Sequence, residues 1–168
     1  LSDQPGASNI TRAFGASAVH HRGELDALRA TLGTGLADVV ITTTNGWDDW
    51  DVALRMAGRR GTIASLGFPG RGQPPGDYNP LDSRHFYAKQ LRIESVGMSP
   101  ERPDDRGFTR FNERDNLQVL AELIIAGRLK PSLLVSATYA GPDIERAYEN
   151  LLARRDDPLT YLLSWNPE

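Results

Sequence analysis

The sequence predicts an α/β fold built on a doubly wound parallel sheet with helices on both faces. Three observations predict it. Strand-like segments begin near residues 18, 38, 61 and 91, and each gap between them holds a helix-like segment, as parallel crossovers require. The segments at 38–43 and 62–66 are continuous runs with no polar alternation, the pattern of strands covered on both faces. Turn residues such as Asn45-Gly46 fall between the segments rather than within them.

Taken in order, residues 7–14 form a short helix candidate that ends at Gly15, which suits the left-handed position after a helix. Residues 18–20 read as a short strand. Residues 24–32 place Leu25, Leu28 and Leu32 at helical spacing, and Gly33 and Gly35 break that helix. Residues 38–43 follow as a strand. Residues 47–57 put Trp50, Ala53, Leu54 and Ala57 on one helical face. Arg59-Arg60-Gly61 closes that helix, and 62–66 is the next strand. Residues 67–79 are a loop rich in Gly and Pro. Pro80 suits the first turn of a helix running to about Lys89. Residues 91–96 form an alternating strand, with Leu91, Ile93 and Ser95 on one face and Arg92, Glu94 and Val96 on the other.

The last third changes rhythm. Residues 100–110 are a polar loop with five charged residues between Glu101 and Arg106. Residues 112–126 form a helix with Leu117, Leu120, Ala121 and Ile124 on one stripe, ended by Gly127. Leu133, Leu134 and Val135 read as a short strand. Residues 142–153 form a second helix carrying Ile144, Ala147, Tyr148, Leu151 and Leu152 on its apolar face. Residues 161–165 make the final strand.

Composition narrows the function classes. The chain has 168 residues, enough for one domain with a core. Lys and Arg total 19 against 22 Asp and Glu, a net charge of −3, which argues against nucleic-acid binding. No apolar run is long enough to suggest a membrane span, and no signal segment opens the chain, so a cytoplasmic location is expected. There is no cysteine, so a metal would need His or carboxylate ligands. The abrupt start without Met makes a fragment or trimmed domain the expectation.

Several short segments, in order, resemble the medium-chain dehydrogenase/reductase family, which includes zinc alcohol dehydrogenases and quinone reductases. They are Ala13-Phe14-Gly15-Ala16-Ser17-Ala18-Val19, Ala37-Asp38-Val39-Val40-Ile41-Thr42 and Gly61-Thr62-Ile63-Ala64-Ser65-Leu66-Gly67-Phe68. Lys89-Gln90-Leu91-Arg92-Ile93-Glu94-Ser95-Val96-Gly97, Gly127-Arg128-Leu129-Lys130-Pro131 and Ile144-Glu145-Arg146-Ala147-Tyr148-Glu149 continue the series. The resemblance covers nearly the whole chain and implies the C-terminal cofactor-domain portion. On this reading residues 1–130 are a partial Rossmann-type domain lacking its first strand or strands and the Gly-rich turn. Residues 131–168 return to the catalytic lobe. The Gly67 to Gly72 stretch has tempting glycines, but Pro69 and the Pro-rich continuation do not open a helix.

The resemblance implies an oxidoreductase that moves a hydride between NADP or NAD and an alcohol or carbonyl substrate. Alternatives are a zinc-free quinone or enone reductase of the same family, and a non-catalytic nucleotide-sensing or assembly domain. No catalytic residue and no metal ligand is assigned here, and zinc would come only through residues outside this chain. In a doubly wound sheet, ligands sit beyond the carboxyl ends of the strands. Those ends are Thr43, Thr44 and Asn45, then Leu66, Gly67 and Phe68, then Ser95, Val96 and Gly97. The resemblance sets the first group near the adenosine part and the other two near the nicotinamide. The plainer alternative for Gly67 and Gly97 is that they allow tight turns.

Counting back from Gly15, the ribose-binding acidic position falls on Ser2, or on Asp3 with a one-residue shift. A carboxylate there would repel a 2′-phosphate and a Ser would tolerate it, which gives a slight preference for NADP. The partners implied are an upstream catalytic lobe and a second copy of the chain, paired through residues 91–96 or a neighbouring segment.

Other polar residues have structural explanations. His20 and His21 are adjacent, so on a strand they point apart. His85 reads as packing or surface. Tyr87 and Tyr148 read as core or interface. Asp48, Asp49 and Asp51 open a helix, where acidic side chains complement the dipole. Arg102, Arg106 and Arg110 interleave with Glu101, Asp104 and Asp105 in a solvated loop.

Overall fold

Residues 39–42 and 62–65 pair in parallel, and the sheet they begin lies within the unit Asp26–Ser99. The computed structural model describes residues 1–2, 7–97, 99–109, 111–154 and 158–165. Chain contacts divide it into two units, Asp26–Ser99 and the combination of Leu1–Leu25 with Pro100–Glu168.

In the first unit, β1 (Ala37–Thr42), β2 (Ala57–Ser65) and β3 (Arg92–Ser95) form a parallel sheet in the order β1-β2-β3. Helix α2 (Leu25–Leu32) precedes the sheet, and α3 (Trp47–Met56) crosses between β1 and β2. The core lies where α3 packs on the sheet. Trp50, Ala53, Leu54, Ala57, Ile63 and Leu91 are buried together, with Val40, Trp47, Tyr78 and Phe86 packed against them. The helical face expected of residues 47–57 is therefore the buried face. Lys89 ties the far end of α3 to the segment before β3. Its ammonium donates to the carbonyls of Leu54 at 2.8 Å, Ala57 at 2.9 Å and Arg55 at 3.1 Å. These are carbonyls that a helix C-terminus leaves without helical partners.

In the second unit, α1 (Ala7–Ala13), α4 (Glu113–Ile125), β4 (Val135–Ala140), α5 (Ile144–Leu152) and β5 (Thr160–Ser164) follow one another, and β4 pairs with β5 in parallel. The crossover is α5, whose Ala147 is buried. Tyr139 and Tyr161 meet edge-on at 5.0 Å, and Asn150 donates to the Tyr139 hydroxyl at 2.9 Å. Asn112 caps α4 by accepting the Asp115 N–H at 2.9 Å. Among the described residues no helix is long and apolar enough to cross a membrane.

Several elements differ from their sequence reading. Residues 18–20 form no strand. His21 makes an isolated parallel bridge to Ser2, then turns, because its ring accepts the Gly23 N–H and its own N–H donates to Glu24. No loop separates α3 from β2. The Ala57 N–H still donates to Ala53 while its ψ of 130° is already extended, so Arg59-Arg60-Gly61 lies inside the strand. Arg60 has a φ of 61°, within a register shift between β1 and β2. The expected helix from Pro80 begins only at Ser83, as a π-helical turn to Tyr87. Asp82 caps it by accepting the Arg84 N–H at 2.8 Å. Residues 131–134 wind into a 3₁₀ turn, and the strand starts at Val135, where true alternation begins.

The expected two-sided burial of β1 is also corrected. Val40 faces the core, while Val39 and Ile41 are 60% and 63% exposed. Successive side chains leave a strand on opposite faces, and α3 covers only one of them. Tyr87 and Tyr148 are exposed at 80% and 60%, not core residues. The stripe of Leu117, Leu120 and Ile124 on α4 is likewise exposed.

Candidate functional site at the strand ends

The register of the first sheet puts Thr42, Ser65 and Ser95 in one row across its three strands. The ladder runs slightly beyond them. Leu66 N–H donates to Thr42 O at 2.9 Å, Gly67 N–H reaches the same oxygen at 3.4 Å, and Val96 N–H donates to Ser65 O at 3.0 Å. Residues 43–45, 66–68 and 95–97 therefore leave the sheet from the same edge. Thr44, Gly67 and Ser95 stand on one rim.

Local chemistry fixes the middle of this rim. Gly67 packs so closely on the backbone of Thr44 that an added Cβ would collide with the Thr44 carbonyl. The need for glycine is thus close approach rather than a tight turn of unusual φ. Asn45 holds the next residues from both its groups. Its Oδ1 accepts the Phe68 N–H at 2.8 Å, and its carbonyl accepts the Gly70 N–H at 2.7 Å. Gly70 adopts a left-handed φ of 75° against the Trp47 ring, where a side chain has no room. Trp47 N–H donates to Gln73 Oε1 at 3.2 Å, and the Tyr78 hydroxyl donates to Trp47 O at 2.7 Å. Loop 67–79 is thereby pinned to the start of α3.

The polar groups nearby serve this scaffold. Thr44 Oγ1 donates to the Asp49 carboxylate, and Ser65 Oγ donates to Gly67 O at 3.0 Å. Asp51 pairs with Arg55 at 2.6 Å, one helical turn on. Asp49 and Asp51 of the acidic cluster thus bind groups of the fold, Thr44 and Arg55. Burial, helped by Asp51, Asp48 and Asp77, pushes the Tyr78 phenol up to about 12. Leu66, Phe68 and Val96 are exposed at the rim, and a Cβ added at Gly97 would meet nothing within 4 Å.

Nine of the residues singled out from sequence come together here: Thr43, Thr44, Asn45, Leu66, Gly67, Phe68, Ser95, Val96 and Gly97. Ser2 belongs to the other unit, where it bridges His21. Asp3 and Arg110 lie outside the described residues. Sequence reasoning missed the loop anchors Trp47, Gln73 and Tyr78, and it missed Arg71, whose guanidinium sits 5.5 Å over the Phe68 ring. Only Arg71 left a signal, as the one cation in loop 67–79. His85 Nδ1 is buried without a partner in the described structure, a packing position. No group of three or more His, Asp or Glu among the described residues is arranged to hold a metal ion.

Solved structures share the fold over almost the whole chain. An alcohol dehydrogenase zinc-binding domain protein from Burkholderia ambifaria superimposes with a TM-score of 0.74 at 18% identity, covering 99% of this chain and 41% of its own. Over that part, this chain and that protein share one fold. An alcohol dehydrogenase from Thermus sp. ATN1 gives a TM-score of 0.70 at 20% identity, covering 98% of this chain and 43% of its own. L-idonate 5-dehydrogenase from Escherichia coli gives 0.68 at 17% identity, covering 98% and 41%. The chain thus spans about two-fifths of the length of the dehydrogenases it matches, consistent with their C-terminal portion. No family model matches the sequence, and no curated protein matches it either.

Proposed function

We propose that this chain is the cofactor-binding part of an oxidoreductase, and that its strand-end rim receives NADP or NAD. The bound cofactor would supply the hydride exchanged with an alcohol or carbonyl substrate. The part of the chain is to bind and orient. Residues 43–45 would face the adenosine half. Residues 66–68 and 95–97 would face the nicotinamide, with backbone groups available to its carboxamide. The observation that carries this reading is the single row formed by Thr42, Ser65 and Ser95. The fit of the residues to a flat ring supports it. Leu66, Phe68 and Val96 offer exposed apolar surface, and Gly97 leaves space that this unit's own packing does not use.

The same proposal includes a substrate lobe from residues outside these 168, a functional boundary near residue 130, and a preference for NADP resting on Ser2. It also includes pairing of two copies through residues 91–96, because β3 stands at the edge of the sheet among the described strands.

Amide NMR on the 168-residue chain tests the central claim with nucleotide halves. Nicotinamide mononucleotide should shift the amides of Gly67, Phe68, Val96 and Gly97, and adenosine monophosphate those of Thr43 to Asn45, both with millimolar affinity. Shifts confined to other residues, or none at saturating nucleotide, would refute the assignment.

A further inference from the structure

Loop 67–79 presents a cation and a ring together at the edge where the three strands end. Phe68 is 67% exposed although its N–H is held by Asn45, so it is displayed by a fixed backbone. Arg71 follows it in a turn closed by its own N–H to Phe68 O at 3.0 Å, and its guanidinium lies over the Phe68 ring. A comparable stack occurs elsewhere, with Arg106 over Phe108 at 5.2 Å, but there the guanidinium also bonds the Asp104 carboxylate at 3.4 Å. Arg55 and Arg84 are likewise paired, with Asp51 and Asp82. Among the described residues, no carboxylate pairs with Arg71.

The charge balance gives that position meaning. Segments 43–45, 66–68 and 95–97 contain no cation, and Arg71 is the only one in loop 67–79. On the Tyr78 side, Asp48, Asp51 and Asp77 supply negative charge. An anionic molecule approaching this rim therefore needs a local counter-charge, and a ring-braced guanidinium loses less freedom on binding an oxyanion than a solvated one. We propose that Arg71, braced by Phe68, is an oxyanion-binding specificity determinant of the rim. Its ligand is a phosphate or carboxylate group carried by the bound molecule. This rests on the reading of the rim as a ligand-binding edge. The oxyanion has two possible sources, the phosphate of the nicotinamide nucleotide and a carboxylate on the substrate.

The test follows the Arg71 Nε–H resonance in the 168-residue chain during titration with three probes: nicotinamide mononucleotide, pyruvate, and acetone as a neutral carbonyl. The proposal expects Arg71 to respond to nicotinamide mononucleotide or to pyruvate and not to acetone. Response to the first alone assigns the oxyanion to the cofactor, and response to pyruvate assigns it to the substrate. Arg71→Gln should weaken the responding probe at least several-fold, Arg71→Lys should recover part of the loss, and the amides of β4 and β5 should stay in place. Silence of Arg71 to both anions overturns the proposal, as does undiminished binding in Arg71→Gln. If Gly67 and Gly97 respond to nicotinamide mononucleotide while Arg71 responds to neither anion, the cofactor reading survives and this one fails. If only pyruvate acts, through Arg71, the reverse holds.

Discussion

The Tyr78 hydroxyl closes loop 67–79 onto Trp47 with one hydrogen bond, and its protonation is coupled to the fold. Burial comes first among the causes that push its phenol up to about 12, and the carboxylates of Asp51, Asp48 and Asp77 add to it. The folded value exceeds the ordinary value of 10.0, so the fold favours the protonated form. That contribution is complete below pH 10 and disappears as the pH rises through about 12. Wild-type protein should therefore lose stability between pH 10 and 12 more steeply than Tyr78→Phe, as read from urea midpoints across that range. At pH 7 the substitution should cost about 0.5–1.5 kcal/mol, the usual net value of one hydrogen bond. Equal slopes for the two proteins would separate Tyr78 from the alkaline transition. The same scale explains Gly67, where a close backbone approach to Thr44 rather than a left-handed φ demands the absence of a side chain.

At the scale of elements, α3 and β2 act as one piece because no residue separates them. Leu54 near the end of α3 and Ile63 in β2 are both fully buried, and the two elements meet through them. Leu54→Ala should destabilise the chain by about 2–5 kcal/mol through lost burial and a residual cavity. Chemical denaturation followed by Trp fluorescence would measure it, since Trp50 belongs to the same cluster. A loss below about 1 kcal/mol would mean that the site collapses around the smaller side chain. Lys89 belongs to this scale too. Its ammonium holds three carbonyls at the α3–β2 junction, while burial, with help from Arg29, pulls its titration below the usual lysine range.

Across the whole molecule, burial is uneven. The core cluster lies within Asp26–Ser99, whereas in the other unit the buried residues among those described are Asn112, Gly141 and Ala147. Local opening is easiest where few apolar contacts are buried. Hydrogen exchange should therefore be slowest in β2, around Ile63 and Ala64, and at least about tenfold faster at Thr138 and Tyr139 in β4. Equal protection in the two parallel sheets would contradict this ordering.

Taken alone, the sequence settled the α/β class, the α3 face bearing Trp50, Ala53 and Leu54, and the three strand-end segments that share a rim. These are local matters, since a period of 3.6 or 2 residues and the placement of Gly, Pro and Asn are written in neighbouring positions. It misread places where a distant group or a missing cover decides. Val39 and Ile41 look buried in an apolar run, but burial depends on what packs over a strand face. The strand at residues 18–20 gave way to side-chain bonds from His21 and Glu24. Tertiary structure alone decided that Ala57 opens a strand rather than closing a helix and that Trp47 and Tyr78 anchor the rim loop. Each of these depends on contacts between residues far apart in the chain or on one backbone torsion at a boundary, and neither leaves a periodic trace in the sequence.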